Sequence, residues 1–166
     1  MIGEDEFDRR VMRVAGSTRR AGEVLEEYFP EVYEWLDSQY AGPMEMSEDD
    51  QVLVESLLAV LFRVMFPEPG RYVMPEAEAL HAEAARAIQA MDGFFKGRLD
   101  RKATTLGEIA DALGGELRQR TLYEKGFGIY LRWTQETARQ AGGSPNGLDV
   151  LIILRVVLGC WDRAVQ

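Results

Sequence analysis

Cysteine and histidine, which build disulfides and many metal sites, are almost absent from this sequence. Its 166 residues include one of each. A single cysteine excludes a disulfide within the chain, and a single histidine excludes the His-rich ligand sets of many metal sites. We therefore expect neither a bound metal nor a cofactor.

Long apolar runs are missing as well. No stretch reaches the roughly 18–20 apolar residues that a membrane-spanning helix needs. The first residues also lack the basic segment followed by an apolar segment that marks a secretory signal. The hydrophobic fraction, 46%, is that of an ordinary folded domain. These absences favour a cytoplasmic protein that does not contact a membrane.

Basic residues are too few to balance the acids. The chain has 28 Asp and Glu against 19 Lys and Arg, which gives a net charge of −9. Residues 1–60 hold fifteen acids and five bases, whereas residues 96–125 hold five acids and seven bases. An acidic surface repels nucleic acid and attracts basic partners. The two regions therefore favour different partners.

Apolar residues recur at helical spacing along nearly the whole sequence. Two segments, about 48–66 and 148–164, are apolar on almost every side, which is typical of helices at the centre of a bundle. Glycine and proline at 41–43 and 142–147 predict loops. Because neither a repeat nor a long linker divides the chain, we predict a single all-α domain over residues 1–166. It should contain about six to seven helices around the two central apolar ones.

Several residues mark where helices begin and end. Ser47 precedes three acids and can cap a helix with its hydroxyl. Pro75 fits the first position of the next helix. Thr104 or Thr105 can cap a short helix that Gly114 terminates.

An aromatic and acidic segment in the N-terminal half is the strongest candidate for a binding surface. Tryptophan and tyrosine often anchor protein interfaces, and carboxylates steer and orient a basic partner. We therefore predict a non-enzymatic protein-interaction module that contacts a basic surface. An inhibitor or immunity-type protein, an adaptor and a small subunit of a larger complex all fit this profile. The predicted contact residues are Glu27, Glu31, Tyr33, Glu34, Trp35 and Tyr40.

The segment Thr105-Leu-Gly-Glu-Ile-Ala-Asp-Ala-Leu-Gly114 resembles the first half of a helix-turn-helix. Ala110 is a small residue where two helices would cross, and Gly114 stands where the chain would turn. Arg120 departs from the motif, which needs an apolar residue there. The resemblance implies, as an alternative, a DNA-binding regulator acting through residues 105–125. Its contacts would be Arg98, Arg101, Lys102, Arg118, Arg120 and Lys125.

Glu23-Val-Leu-Glu26, followed by Glu27, resembles the first acidic pair of all-α nucleotide pyrophosphohydrolases of the MazG type. That family holds Mg²⁺ between this pair and a second carboxylate pair on the next helix. Here Leu58 follows Glu55 at the spacing where the second pair needs a carboxylate. The resemblance implies a Mg²⁺-dependent nucleotide hydrolase as a further alternative.

No complete catalytic set emerges from the remaining residues. Glu78 and His81 share one helix face, but a di-iron centre needs a second histidine. Cys160 lies in an apolar segment, where cysteine behaves as a small hydrophobic side chain. The apolar final helix is compatible with packing inside one chain or with a homodimer interface. The sequence therefore assigns no catalytic residue and favours a non-enzymatic role.

Overall fold

The computed structural model describes residues 1–40, 46–96, 104–141 and 147–166, without the side chains of residues 18, 40 and 136–141. Eight α-helices lie within these ranges, and an isolated bridge between Val73 and Val165 is their only β-type pairing. The helices are α1 (Glu4–Ala15), α2 (Thr18–Tyr28), α3 (Glu31–Tyr40), α4 (Glu48–Met65), α5 (Ala77–Phe95), α6 (Leu106–Gly114), α7 (Arg120–Ala141) and α8 (Gly147–Trp161). The all-α prediction is confirmed, with eight helices in place of six or seven.

Local capping chemistry starts two of the helices where the sequence predicts them. The Ser47 hydroxyl accepts a hydrogen bond from the backbone N–H of Asp50 at 3.2 Å. The Thr105 hydroxyl accepts from the N–H of Glu108, and the Glu108 carboxylate accepts from the N–H of Thr105 at 2.9 Å. Each bond satisfies a backbone donor that the first turn leaves unpaired.

Two predicted boundaries are wrong. Pro75 does not occupy the first helical position, because Glu76 keeps extended backbone angles at the N-cap position and α5 begins only at Ala77. α8 ends at Trp161, earlier than predicted. The chain beyond it turns back, and Val165 exchanges two backbone hydrogen bonds with Val73. The predicted loop at 41–43 lies outside the described residues, and so does the loop at 142–147 except for its last residue.

Two apolar helices form the centres of two packed layers. α4 packs against α1, α2 and α7, whereas α8 packs against α5, α6 and α7. Most side chains of both helices are buried, which confirms the two predicted central helices. α7 belongs to both layers and joins them. None of the helices in the described ranges combines the length and apolar character that a membrane span requires.

Aromatic rings also join the two central helices. The Phe62 ring of α4 lies 5.3 Å from the Trp161 ring of α8, edge to face. Phe66 meets Tyr72 in the same manner at 4.9 Å. Such pairs add about 0.5–1.5 kcal/mol beyond the area they bury. The end of α4 is thereby fixed against the end of α8.

Glycine allows close approach at the contacts of α7. A Cβ atom at Gly126 would lie 2.9 Å from Leu61 Cδ1 of α4, and one at Gly114 of α6 would lie 2.8 Å from the Tyr123 ring. Tyr123 is fully buried, so its ring has little room to move away. Gly114 is therefore needed for the space it leaves, since the backbone there requires no left-handed conformation.

We expect Gly114→Ala to lower the free energy of unfolding by about 1–3 kcal/mol, because the added methyl group overpacks the Tyr123 ring. Gly115→Ala is the matched control, since its Cβ would meet only the Asp111 carbonyl oxygen at 3.5 Å. Urea unfolding monitored by circular dichroism measures both. Equal effects of the two substitutions would show that the ring does not constrain this contact.

Candidate functional site

Carboxylates from three helices meet on one side of the N-terminal layer. α2 packs along α4, and the Tyr33 hydroxyl of α3 donates a hydrogen bond to the Gly22 carbonyl of α2 at 3.4 Å. We call this region the acidic surface. Glu26 of α2, Asp37 of α3 and Glu55 of α4 act on one another there, and we count with them the exposed Glu23 and Glu27 of α2 and Glu34 of α3.

The carboxylates of the acidic surface interact electrostatically. Burial, together with the nearby Asp37 and Glu26 carboxylates, raises the pKa of Glu55. Burial and the carboxylates of Glu26 and Glu55 raise the pKa of Tyr33 to about 12. Like charges therefore oppose one another here, and an added positive charge would relieve the repulsion.

Counter-charges are scarce at the acidic surface but common elsewhere. Among the described residues, the Arg19–Glu23 pair at 3.7 Å is the only ion pair that this surface forms. In α1, by contrast, Glu6 pairs with Arg9 at 2.7 Å and with Arg10 at 2.6 Å. The acidic surface is thus a concentration of uncompensated charge.

The predicted contact residues separate into exposed and buried groups. Glu27 and Glu34 are exposed, and Tyr33 is half-buried. Trp35 is only 5% exposed, so its ring belongs to the core and is not free on the surface. Glu31 lies on another side of α3, close enough to Cys160 of α8 to contribute to the raised pKa of that thiol. The side chain of Tyr40 lies outside the described residues.

An exposed apolar side chain adjoins the acidic surface. Val52 of α4 is 61% exposed, and it stands one helical turn from Glu55 on one side and from Glu48 and Asp49 on the other. An apolar contact beside acidic residues is a common arrangement at protein interfaces. Sequence reasoning missed Val52 because it treated the whole segment 48–66 as buried.

Two of the basic residues proposed for DNA contact are engaged with acids. Arg120 donates to Glu124 at 2.6 Å and to Asp111 at 2.8 Å. Lys125 lies 3.5 Å from Asp8. These pairs offset the charges of Arg120 and Lys125, which weakens the case for a nucleic-acid contact at these two positions. Arg98, Arg101 and Lys102 lie outside the described residues, and Arg118 lines a separate pocket.

The described residues bring together no metal ligand set. In the ranges that the structure describes, no group of three or more His, Cys, Asp and Glu could hold an ion. His81 is exposed on α5. Burial raises the pKa of the Cys160 thiol to about 12, so this cysteine has little thiolate character at neutral pH. The described residues therefore offer no ligand set that would support the alternative of a Mg²⁺-dependent nucleotide hydrolase.

A buried ion cluster lies between α5 and α8. Glu83 of α5 is 2% exposed. One of its oxygens accepts a hydrogen bond from buried Arg155 of α8 at 2.8 Å. The other accepts from Arg86 and from Arg163, both at 2.6 Å. Three guanidinium groups therefore surround one carboxylate.

Gly159 makes room for this cluster. A Cβ atom there would lie 2.7 Å from the Glu83 Oε2 atom and closer still to the Arg155 guanidinium. Sequence reasoning missed Glu83 as a buried residue. The sequence did contain one indication of a buried ion pair. Arg155 is the only charged residue between Val150 and Trp161 of an otherwise apolar helix. A charge buried in such a helix requires a partner.

No family model matches the chain, and no curated protein and no solved structure is similar to it. The function must therefore be inferred from the chain's own residues.

We expect Glu55→Gln to stabilise the protein at pH 7 by about 0.5 kcal/mol, the size of a like-charge pair on helices. The raised pKa of Glu55 means that folding opposes its ionisation. The penalty is thus present at neutral pH and disappears below about pH 4, where the carboxyl is protonated in both states.

Urea unfolding at both pH values tests this, with Glu78→Gln, exposed on α5, as the control for a general loss of negative charge. A gain from Glu55→Gln that is the same at both pH values would contradict the crowding of carboxylates.

We expect Glu83→Gln to destabilise the fold by about 3 kcal/mol, because it leaves the buried Arg155 guanidinium without its counter-charge. Glu78→Gln is the matched control, being exposed on the same helix, and should change stability by less than about 0.5 kcal/mol. Urea unfolding compares the two. A small effect at Glu83 would mean that water or another group compensates Arg155.

Proposed function

We propose that this chain is a protein-interaction module whose acidic surface binds a basic surface of a partner protein. The observation that carries the proposal is the uncompensated charge of that surface. Burial and the carboxylates of Asp37 and Glu26 raise the pKa of Glu55. Among the described residues a single ion pair, Arg19–Glu23, offsets the charge of this surface. A basic partner would remove this repulsion and gain attraction.

Charge and apolar contact would have different roles in such a complex. Exposed carboxylates steer the partner and set its orientation, which raises the association rate. Val52 and the accessible part of Tyr33 supply apolar surface that can be buried on binding. Trp35 supports the surface from within, since its ring is packed in the core beneath α3.

A protein partner accounts for these observations better than nucleic acid or a nucleotide substrate. The acidic surface repels phosphate, and Arg120 and Lys125 of the alternative site form ion pairs with acids. An inhibitor, an adaptor and a subunit of a larger complex remain equally compatible with one acidic docking surface.

Affinity capture from the lysate of the source organism, eluted with a salt step, tests the proposal. The tagged chain should retain a basic protein in stoichiometric amount. The double variant Glu27→Lys with Glu34→Lys should reduce the captured amount at least about tenfold, because it reverses two charges on the acidic surface.

Glu78→Lys with Asp92→Lys is the charge-matched control on exposed positions of α5, and it should capture the same protein as the unmodified chain. Circular dichroism verifies that both variants fold. Equal loss in both variants, or retention of nucleic acid as the main bound component, would contradict the proposal.

A further inference from the structure

A polar pocket of about 420 Å³ opens beside the Glu83 cluster. α5, the turn before α7, the end of α8 and the chain beyond it form its walls. Four arginines line it, namely Arg86, Arg118, Arg155 and Arg163. Such a concentration of guanidinium groups is unexpected in a protein of net charge −9.

The charges in this pocket do not balance. Glu83 accepts hydrogen bonds from three guanidinium groups, so it compensates only one of their three charges. Glu116 reaches Arg155 only at 4.0 Å, with its side chain 90% exposed. The Asp162 carboxylate accepts the backbone N–H of Arg118 at 2.8 Å and also offsets part of the charge of Arg118 and Arg155. Positive charge therefore remains.

Hydrogen-bond donors also remain. A guanidinium group carries five N–H donors, and the contacts with Glu83 use one from each of the three arginines that bind it. The Arg118 side chain is exposed, and the nearby Asp162 carboxylate offsets part of its charge. The paired N–H donors of a planar guanidinium group can bind two oxygens of a phosphate group at once. Four arginines against Glu83, Glu116 and Asp162 leave one positive charge in the lining, and this excess favours an anion.

A second compartment of about 620 Å³ adjoins the first and shares Arg118, Asp162 and Ala164 with it. Its walls include Tyr72 and Met65, both partly buried. Each compartment falls within or near the size of small-molecule sites, which are about 300–1,000 Å³. One compartment is thus cationic, and its neighbour offers an aromatic and an apolar side chain.

We propose that the two compartments form one binding site for a small organic phosphate. The phosphate group lies among Arg86, Arg118 and Arg163, and the organic group lies against Tyr72 and Met65. The buried Arg155–Glu83 pair holds the other guanidinium groups in position. The four arginines of this site lie outside the helices that carry the acidic surface, although Met65 ends α4, so substitutions can test the two proposals separately.

Isothermal titration calorimetry of the full chain at low ionic strength tests the site. The probes are inorganic phosphate, adenosine 5′-monophosphate and adenosine. We expect the monophosphate to bind at least about tenfold more tightly than inorganic phosphate, because the adenosine group adds contacts in the second compartment. Adenosine alone should bind more weakly than the monophosphate, since it leaves the arginines unoccupied.

Arg118→Met should weaken binding of the monophosphate by about tenfold, the effect of losing one charge-assisted contact. Because Arg118 is outside the Glu83 cluster, the urea unfolding midpoint of the Arg118→Met variant should equal that of the unmodified chain. Arg9→Met removes the same charge from an exposed position on α1 and should weaken binding less than about twofold.

Three results would overturn the proposal. The first is no heat of binding with either phosphate probe at millimolar concentration. The second is equal weakening by Arg118→Met and Arg9→Met, which would indicate general charge attraction. The third is tighter, Arg118-dependent binding of duplex DNA, which would favour the nucleic-acid alternative for this region.

Discussion

A single buried carboxylate holds one end of this protein together. Glu83 binds guanidinium groups from its own helix, from α8 and from the segment after α8. Removing charged groups from water is unfavourable unless each finds partners, so α5 and α8 can pack closely only in the register that aligns Glu83 with Arg155. Gly159 leaves the space that this register requires. The apolar contacts of α8 supply most of the stabilisation, whereas the ion cluster selects one arrangement of the helices.

The protein distributes its charges in two contrasting ways. Around Glu83, cations outnumber the carboxylate that they share. At the acidic surface, carboxylates of three helices face solvent with one ion pair, Arg19–Glu23, among the described residues. Both regions are therefore electrostatically unsatisfied within the chain, with opposite sign, and they lie on different helices. The proposed protein-binding surface and the proposed anion site therefore use charges of opposite sign on different residues.

Features that depend on neighbouring residues could be predicted from the sequence. Ser47 and Thr105 cap helices through bonds within one turn, and the uniform apolar character of α4 and α8 indicated their central positions. The burial of Trp35 could have been predicted in the same way. Val32, Trp35 and Leu36 follow helical spacing and are all buried, although the acids around them suggested a surface.

Features that depend on distant residues could not be predicted from local patterns. Glu83 and Arg155 are 72 positions apart, and nothing near Glu83 distinguishes it from the exposed acids of α5. The same holds for Gly114 and Gly126, whose roles arise from Tyr123 and Leu61 on other helices. The pockets follow from the meeting of four separate segments, which only the tertiary structure reveals. Local periodicity thus defines the helices but not the charge contacts between them.

The position of α8 in the chain has a consequence for synthesis on the ribosome. α8 follows the other seven described helices, and it is the helix on which α5, α6 and α7 pack. The N-terminal layer of α1, α2 and α4 can assemble before α8 has been made. The C-terminal layer cannot, so the sides of α5 and α6 that pack on α8 stay uncovered until α8 has left the exit tunnel. During that interval the nascent chain exposes the kind of surface that chaperones bind.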